Sequence, residues 1–132
     1  MLARLAGQTA QLLNVNNAAR DVAVDRVTAE NYTRLLEAVF LIHRLPAWGR
    51  TLTARAVGTP KIHVLDSGVA ARLLKLTSTR LQRRDPTALK ELGHLLESFV
   101  VAELLKQTSW LDDVTVAGHW RTRDGDEVDA IL

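Results

Sequence analysis

The first third of the chain repeats its hydrophobic residues at the spacing of an α-helix. Apolar side chains recur every three or four positions over residues 2–13, which predicts a first helix that ends in the asparagine-rich stretch after it. A second helix fits Asn17–Val22, and a third fits Arg26–Ala38 with Asp25 as its N-cap. The predicted buried stripe of the third helix comprises Thr28, Tyr32, Leu35, Leu36 and Val39.

Two short apolar segments follow, and both have the length and composition of β-strands. They are Phe40–Leu45, which Pro46 closes, and Lys61–Leu65, with the polar stretch Gly49–Pro60 between them. Three helices followed by a two-stranded hairpin form the element order of a winged helix, a relative of the helix-turn-helix. We therefore predict a winged helix-turn-helix at residues 1–66.

The middle of the chain then holds a short helix and a polar, basic connector. Asp66 or Ser67 can cap a helix over Val69–Leu76, because both residue types accept hydrogen bonds from the first turn of a helix. The stretch Arg80–Pro86 carries no apolar periodicity. We therefore expect residues 67–86 to separate two modules.

A long helix and a terminal hairpin complete the predicted fold. Leucines, valines and a phenylalanine recur at helical spacing over residues 87–107, and Arg123–Asp126 has the composition of a tight turn before a last short strand. The fold class is therefore α+β and helix-rich. The predicted second module, residues 87–132, is a partial one that ends on the hairpin.

Composition excludes several classes of protein. The 132 residues are 47% hydrophobic and contain no cysteine, so disulfides and thiolate metal sites are excluded. No apolar run approaches the roughly 20 residues that span a bilayer, and the first residues lack a signal-peptide cleavage site. We expect a cytoplasmic protein with no membrane contact. The chain also lacks a Gly-rich phosphate-binding loop, so these residues are not themselves a P-loop nucleotidase.

The net charge of +2 conceals a basic block in the middle of the sequence. Residues 41–84 contain nine lysines and arginines but a single acid, Asp66. One interpretation is a polyanionic partner, and the other is that scattered arginines simply solvate a small domain. Under the first interpretation the candidate contacts to double-stranded DNA are Arg26 and Arg34 on the third helix and Arg44, Arg50, Arg55 and Lys61 around the wing.

The wing is the better of the two candidate DNA contacts. The outward face of the third helix mixes its arginines with Glu30 and Glu37, and acids that face phosphates oppose binding. The wing combines its basic residues with Trp48. Winged helices also serve as protein-docking modules, so a surface that binds protein remains the alternative.

Two carboxylates stand out in the second module. Glu97 lies on or beside the apolar stripe of the long helix, where an unpaired acid is costly, and Asp129 lies on the last strand. A helix with an inward acid followed by such a hairpin is the opening half of a restriction-endonuclease-like core, in which carboxylates hold Mg²⁺ and a lysine steadies the attacking water. The alternative is that Glu97 pairs with Arg121 or Arg123 at the edge of the stripe.

Four ordered segments resemble a known family. They are LLEAVFLIHRLPAW, PKIHVLDSGVAARLL, LGHLLESFVVAELL and HWRTRDGDEVDAIL. Together they resemble the uncharacterised C-terminal domain of a family of predicted archaeal and bacterial AAA+ ATPases. The resemblance implies a P-loop ATPase, a winged helix and a nuclease-like module in that order, with ATP and Mg²⁺ as cofactors of the full-length parent. Glu97 matches the family's helix acid and Asp129 its hairpin acid.

The resemblance also implies that this chain is a fragment. The lysine of the nuclease-like core normally lies in an acid-x-Lys motif on the next strand, which would begin after Leu132. We therefore expect a catalytically silent, nucleic-acid-binding fragment that needs no cofactor of its own. The alternative is a protein-interaction or oligomerisation module that regulates the ATPase. In either case the last strand should leave an unpaired edge through which a second copy can pair.

Overall fold

The computed structural model covers the whole chain and describes residues 1–49, 58–112, 116–122 and 124–132. It has an α+β architecture of helices and two small antiparallel sheets. No helix among the described residues combines the length and the apolar character needed to cross a membrane. In chain order the elements are α1 (Leu2–Ala6), β1 (Gln11–Leu12), α2 (Val15–Asp21), α3 (Arg26–Ala38), β2 (Ile42–Leu45), β3 (Lys61–Val64), α4 (Ser67–Leu73), α5 (Ser78–Gln82), α6 (Pro86–Thr108), β4 (Gly118–Arg121) and β5 (Glu127–Ile131).

The first sheet has the strand order β1-β3-β2, with every neighbouring pair antiparallel. Strand β1 takes the place of the second half of the predicted first helix, which was therefore too long. The helix ends at Ala6, and Ala10 adopts a positive φ of 59° that redirects the backbone. Gln11 then pairs with Ile62 of β3. A strand of two residues is too short to show an alternating pattern, so the helical spacing of the surrounding residues dominated the prediction.

Helix α3 has the limits that its sequence predicts, and Leu36 of the predicted stripe packs against the core, but the fully buried residues are different ones. Asp25 caps it by accepting a hydrogen bond of 2.9 Å from the amide of Thr28. The buried residues are Ala29 and Thr33, whose hydroxyl donates to the carbonyl of Ala29 at 2.8 Å. Small side chains allow close approach to α2, while the larger residues of the predicted stripe that are exposed are Tyr32, Leu35 and Val39.

The remaining elements shift by a few residues from their predicted limits. Strand β2 begins at Ile42, because Phe40 has a φ of 58° and its side chain is 81% exposed. A short helix, α5, begins two residues before the predicted basic connector and includes its first residues. Helix α6 is capped by Asp85, which accepts from two amides of the first turn, and Pro86 occupies a position where no amide donor is needed.

One apolar core joins the two halves of the chain. Its buried members come from α1, α2, the first sheet, α4 and α6, and they include Leu5, Ile62, Val64, Ala70 and Leu95. Helix α6 therefore packs against the same core as the first sheet. The division into residues 1–66, 67–86 and 87–132 stays a prediction.

The hairpin of β4 and β5 is attached to the segment after β2. The amide of His119 donates to the carbonyl of Pro46 at 2.9 Å, and the amide of Trp48 donates to the carbonyl of His119 at 2.6 Å. Gly118 lies against this segment. A Cβ at Gly118 would lie 3.1 Å from the oxygen of Pro46 and 3.3 Å from Cα of Trp48.

We expect Gly118→Ala to lower the free energy of unfolding by about 1 to 3 kcal/mol, because the added methyl group meets backbone atoms that cannot rotate away. Gly93→Ala is the matched control. Gly93 lies inside α6, and no atom lies within 4 Å of the position that its Cβ would take, so this change should stabilise the protein by about 0.5 to 1 kcal/mol. Urea unfolding of both variants measures the difference, and equal effects would contradict the close approach.

Candidate functional site

Three carboxylates converge on one buried ammonium group. The Nζ atom of Lys61 lies 2.8 Å from Oε1 of Glu97 and 2.8 Å from Oδ1 of Asp129, and it also contacts Oε1 of Glu127. The side chain of Lys61 is 1% exposed. We call these four residues the Lys61 cluster.

Strand alternation and helix packing bring the cluster together. Lys61 and His63 lie two apart on β3, so both side chains project from the same face of the first sheet. Glu127 and Asp129 share a face of β5 for the same reason. Glu97 enters from α6, where its neighbour Ser98 is fully buried. The cluster therefore joins β3, β5 and α6.

The cluster contains three acidic side chains but only one lysine. Burial favours the neutral form of Lys61, but hydrogen bonds to Asp129, Glu127 and Glu97 outweigh burial and raise the pKa of Lys61 above its ordinary value. Burial raises the pKa of Glu97 even though Lys61 opposes the rise. The raised pKa of Lys61 and the raised pKa of Glu97 are compatible, because three acids share a single ammonium group. Arg121 adds a second cation 3.5 Å from Glu127.

A network of buried polar groups includes close sequence neighbours of Lys61 and Glu97. The hydroxyl oxygens of Thr9 and Ser98 lie 2.8 Å apart, and the Ser98 hydroxyl lies 3.1 Å from Nδ1 of His63. The Thr9 hydroxyl also accepts a hydrogen bond from the amide of Val64 at 3.0 Å. These hydrogen bonds link the segment after α1 with β3 and α6.

The chain's four histidines all have lowered pKa values. Burial is the first cause in each case, and it lowers the pKa of His63 to about 3, with Lys61 adding to the effect. His63 is therefore neutral at physiological pH. Three buried ring nitrogens in the described part of the chain have no hydrogen-bond partner: Nε2 of His63, Nε2 of His94 and Nδ1 of His119.

The Lys61 cluster holds a cation, but that cation is its own lysine. Within residues 1–49, 58–112, 116–122 and 124–132, no group of three or more histidines and acids is placed to hold a metal ion. Carboxylate oxygens are the ligands that Mg²⁺ prefers, so the donor type is suitable. A cleft of about 400 Å³ opens at the cluster and is also lined by Lys90, His94 and Arg121.

The structure places the six predicted nucleic-acid contacts in different environments. Arg26 and Arg34 are exposed on α3, and Arg34 also pairs with Glu30 at 3.3 Å. Arg44 is held by Glu37 at 2.6 Å and by Glu30 at 2.8 Å. Lys61 is buried, which does not suit contact with a phosphate. Arg50 and Arg55 lie outside the described residues.

The two predicted site acids do converge, and two further residues join them. Glu97 pairs with Lys61, whereas the alternative had been Arg121 or Arg123, of which Arg123 lies outside the described residues. Glu127 was missed, although its position two before Asp129 on a strand places both on one face. Lys61 was assigned to the wing, because only the folded chain shows that it meets residues 36 and 68 positions away.

We expect Lys61→Met to lower the free energy of unfolding by about 2 to 3 kcal/mol, because it leaves three carboxylates without their shared counter-ion. The value lies below that for fully buried pairs, since Asp129 is half exposed. Lys106→Met, which breaks an exposed pair with Glu103, should change stability by less than about 0.5 kcal/mol. Urea unfolding checks both, and similar losses in the two variants would refute a central role for the cluster.

Neutral His63 should make the protein sensitive to acid. Its pKa is about 3 in the folded chain and about 6.5 in the unfolded chain, so the unfolded state binds more protons between these values. The contribution to stability is complete above pH 6.5 and falls by up to ~1.4 kcal/mol per pH unit as the pH decreases towards 3. His63→Asn removes the titrating ring, so its unfolding free energy should fall less steeply over this range. Parallel curves for the two proteins would contradict a neutral His63.

Comparisons with known proteins match the chain in two sections. A domain of unknown function, DUF4143, matches residues 92–132, which contain most of α6 and the hairpin. Two uncharacterized mycobacterial proteins, Mb2031c of Mycobacterium bovis and Rv2008c of Mycobacterium tuberculosis, are each 30% identical to the chain over 125 residues. These alignments cover 95% of this chain and 26% of each relative, so the chain spans about a quarter of their length. No solved structure matches.

The second family match covers most of the helices around the first sheet. It is the domain of unknown function DUF8612, which matches residues 1–80 and so includes every element from α1 to α4. The match extends over more than half of the sequence. The chain therefore belongs to the DUF8612 family.

Proposed function

We propose that the chain is a nucleic-acid-binding region of a larger protein and that the Lys61 cluster is an incomplete nuclease-like site. The mycobacterial relatives are about four times as long as the part that aligns, which is consistent with further modules in such proteins. In the proposed parent, an AAA+ ATPase module would supply ATP hydrolysis, with ATP and Mg²⁺ as its cofactors. The element order of α1 to β3 and the strand order β1-β3-β2 support a winged helix at residues 1–66.

The convergence of Glu97 and Asp129 carries this proposal. One acid comes from a long helix and the other from a hairpin strand, and their carboxylates meet at a single point. Glu127 contributes a third carboxylate and Lys61 a positive charge. Carboxylates that hold a divalent cation and a lysine that steadies negative charge are the components of metal-assisted phosphodiester cleavage.

The position of Lys61 explains why the site is incomplete. Its ammonium group lies among the carboxylates, where a divalent cation would otherwise lie. A metal ion could use all three acids only after Lys61 moves aside. We therefore propose that these 132 residues do not cleave nucleic acid by themselves.

Contact with the nucleic acid involves α3 in this proposal. Arg44 bonds to both Glu30 and Glu37 and offsets part of their negative charge, so the acids of this helix oppose a phosphate less than their sequence predicts. Arg26 makes no ion pair among the described residues, and Arg34 pairs only with Glu30 there. Both arginines are available to phosphates, and Arg50 and Arg55 remain proposed contacts from the wing.

Duplex binding across a range of salt concentrations tests the proposal. A labelled DNA duplex should bind in low salt, and its affinity should fall steeply as the ionic strength increases. Arg26→Ala and Arg34→Ala should each weaken binding and reduce the slope of the logarithm of affinity against the logarithm of salt by about one. Lys106→Ala, at the far end of α6, is the matched control. The absence of duplex binding in low salt by the unmutated chain would refute the proposal.

A cleavage assay on the same samples separates binding from catalysis. With Mg²⁺ present, the bound duplex should remain intact, because Lys61 occupies the carboxylates. Metal-dependent cleavage that disappears in Asp129→Ala would show that the site is complete.

Protein interaction is the second candidate function, and the exposed surface of α3 favours it. Leu35 and Val39 lie at the end of the helix, Phe40 follows directly, and all three are exposed. An apolar surface of this kind is typical of a protein-binding site. Strand β5 pairs only with β4 in the described part of the chain, so self-association through its other edge also remains a proposal.

A further inference from the structure

An apolar groove lies between α4, α5 and α6, on the side of α6 that faces away from the Lys61 cluster. Glu97 and Phe99 are two positions apart, which places them about 200° apart around the helix. The groove has a volume of about 420 Å³. The apolar residues that line it are Ala71, Leu76, Leu81, Leu92, Leu95, Leu96 and Phe99.

Several of these side chains are exposed although they are large and hydrophobic. Leu92, Leu96 and Phe99 are each more than 40% exposed, and they repeat at spacings of four and three along α6. Such a repeat is the apolar face that a helix ordinarily turns towards another element. In the described residues no element covers it.

The segment that contains α4 and α5 carries positive charge only. Residues 67–84 contain five lysines and arginines and no acid. Arg80 is already paired with Glu91 at 3.2 Å and lies near Asp85. The other four cations are exposed and form no ion pair among the described residues: Arg72, Lys75, Arg83 and Arg84.

We propose that this groove binds an acidic amphipathic helix of a partner protein. The apolar face of such a helix would fill the groove as anchors one turn apart, and acids on its flanks would meet the unpaired cations within and just after α4 and just after α5. A second copy of the chain fits less well, because both copies would bring basic residues to the interface. Nucleic acid could pair with the cations but has no side chains to fill an apolar groove.

A pair of synthetic helical peptides tests the proposal on the full chain. Both carry leucine at positions i, i+3, i+4 and i+7; one has glutamate and the other lysine at the flanking positions. The glutamate peptide should bind saturably, as measured by fluorescence anisotropy, and the lysine peptide should not. Added salt should weaken binding of the glutamate peptide, because exposed ion pairs are screened.

Variants locate the binding site. Phe99→Asp should weaken binding of the glutamate peptide by at least about tenfold, and the double variant Arg83→Glu with Arg84→Glu should also weaken it. Both changes lie on exposed side chains, and circular dichroism checks that the variants remain folded. Val27→Ser, at an exposed position of α3, is the matched control and should leave the affinity unchanged.

Four outcomes of the peptide-binding experiments would overturn the proposal, and one result of light scattering would also do so. They are failure of the glutamate peptide to bind, equal binding of the two peptides, binding unaffected by Phe99→Asp, and displacement of the peptide by a DNA duplex that depends on Arg83 and Arg84. The last outcome would assign the basic residues to nucleic acid. A dimer in light scattering that dissociates in Phe99→Asp would instead assign the groove to a second copy. The duplex test on Arg26 and Arg34 is independent of all of these.

Discussion

The buried ammonium of Lys61 is the interaction on which the arrangement of the two sheets depends. A lysine that is 1% exposed must have its charge and its three N–H donors satisfied inside the protein. Glu97, Glu127 and Asp129 do this from α6 and β5. Because each acid belongs to an element other than β3, this one side chain ties the long helix and the terminal hairpin to the first sheet, in addition to the apolar core and the backbone hydrogen bonds of His119.

Strand β3 separates a polar interior from an apolar one. All four of its residues are buried, and alternation divides them between its two faces. Ile62 and Val64 belong to the apolar core with Leu5, whereas Lys61 and His63 meet carboxylates and a hydroxyl group. A strand buried on both faces ordinarily consists of hydrophobic residues alone. The departure from that pattern at two alternate positions coincides with the candidate site.

Local signals in the sequence were sufficient where local interactions decide the structure. The start of α3 follows from the hydrogen bonds of Asp25, and the inward position of Glu97 follows from helical spacing. The predicted buried stripe of α3 was only partly correct: Leu36 packs against the core, but close packing against α2 favours Ala29 and Thr33 over larger residues. The partner of Glu97 was also missed. It lies 36 positions earlier in the chain, and no local pattern encodes a contact at that separation.

The number of acids in the Lys61 cluster is more than one lysine needs. Three acceptors match three N–H donors, but neutral acceptors would do this without bringing three negative charges together. Like charges at short range raise the pKa of at least one member, and Glu97 does have a raised pKa, to which burial contributes first and the two neighbouring acids add. Hydrogen bonding therefore accounts for three acceptors but not for three carboxylates. The excess negative charge around a cation is what the proposed, incomplete metal site would explain, since a divalent ion neutralises more charge than an ammonium group does.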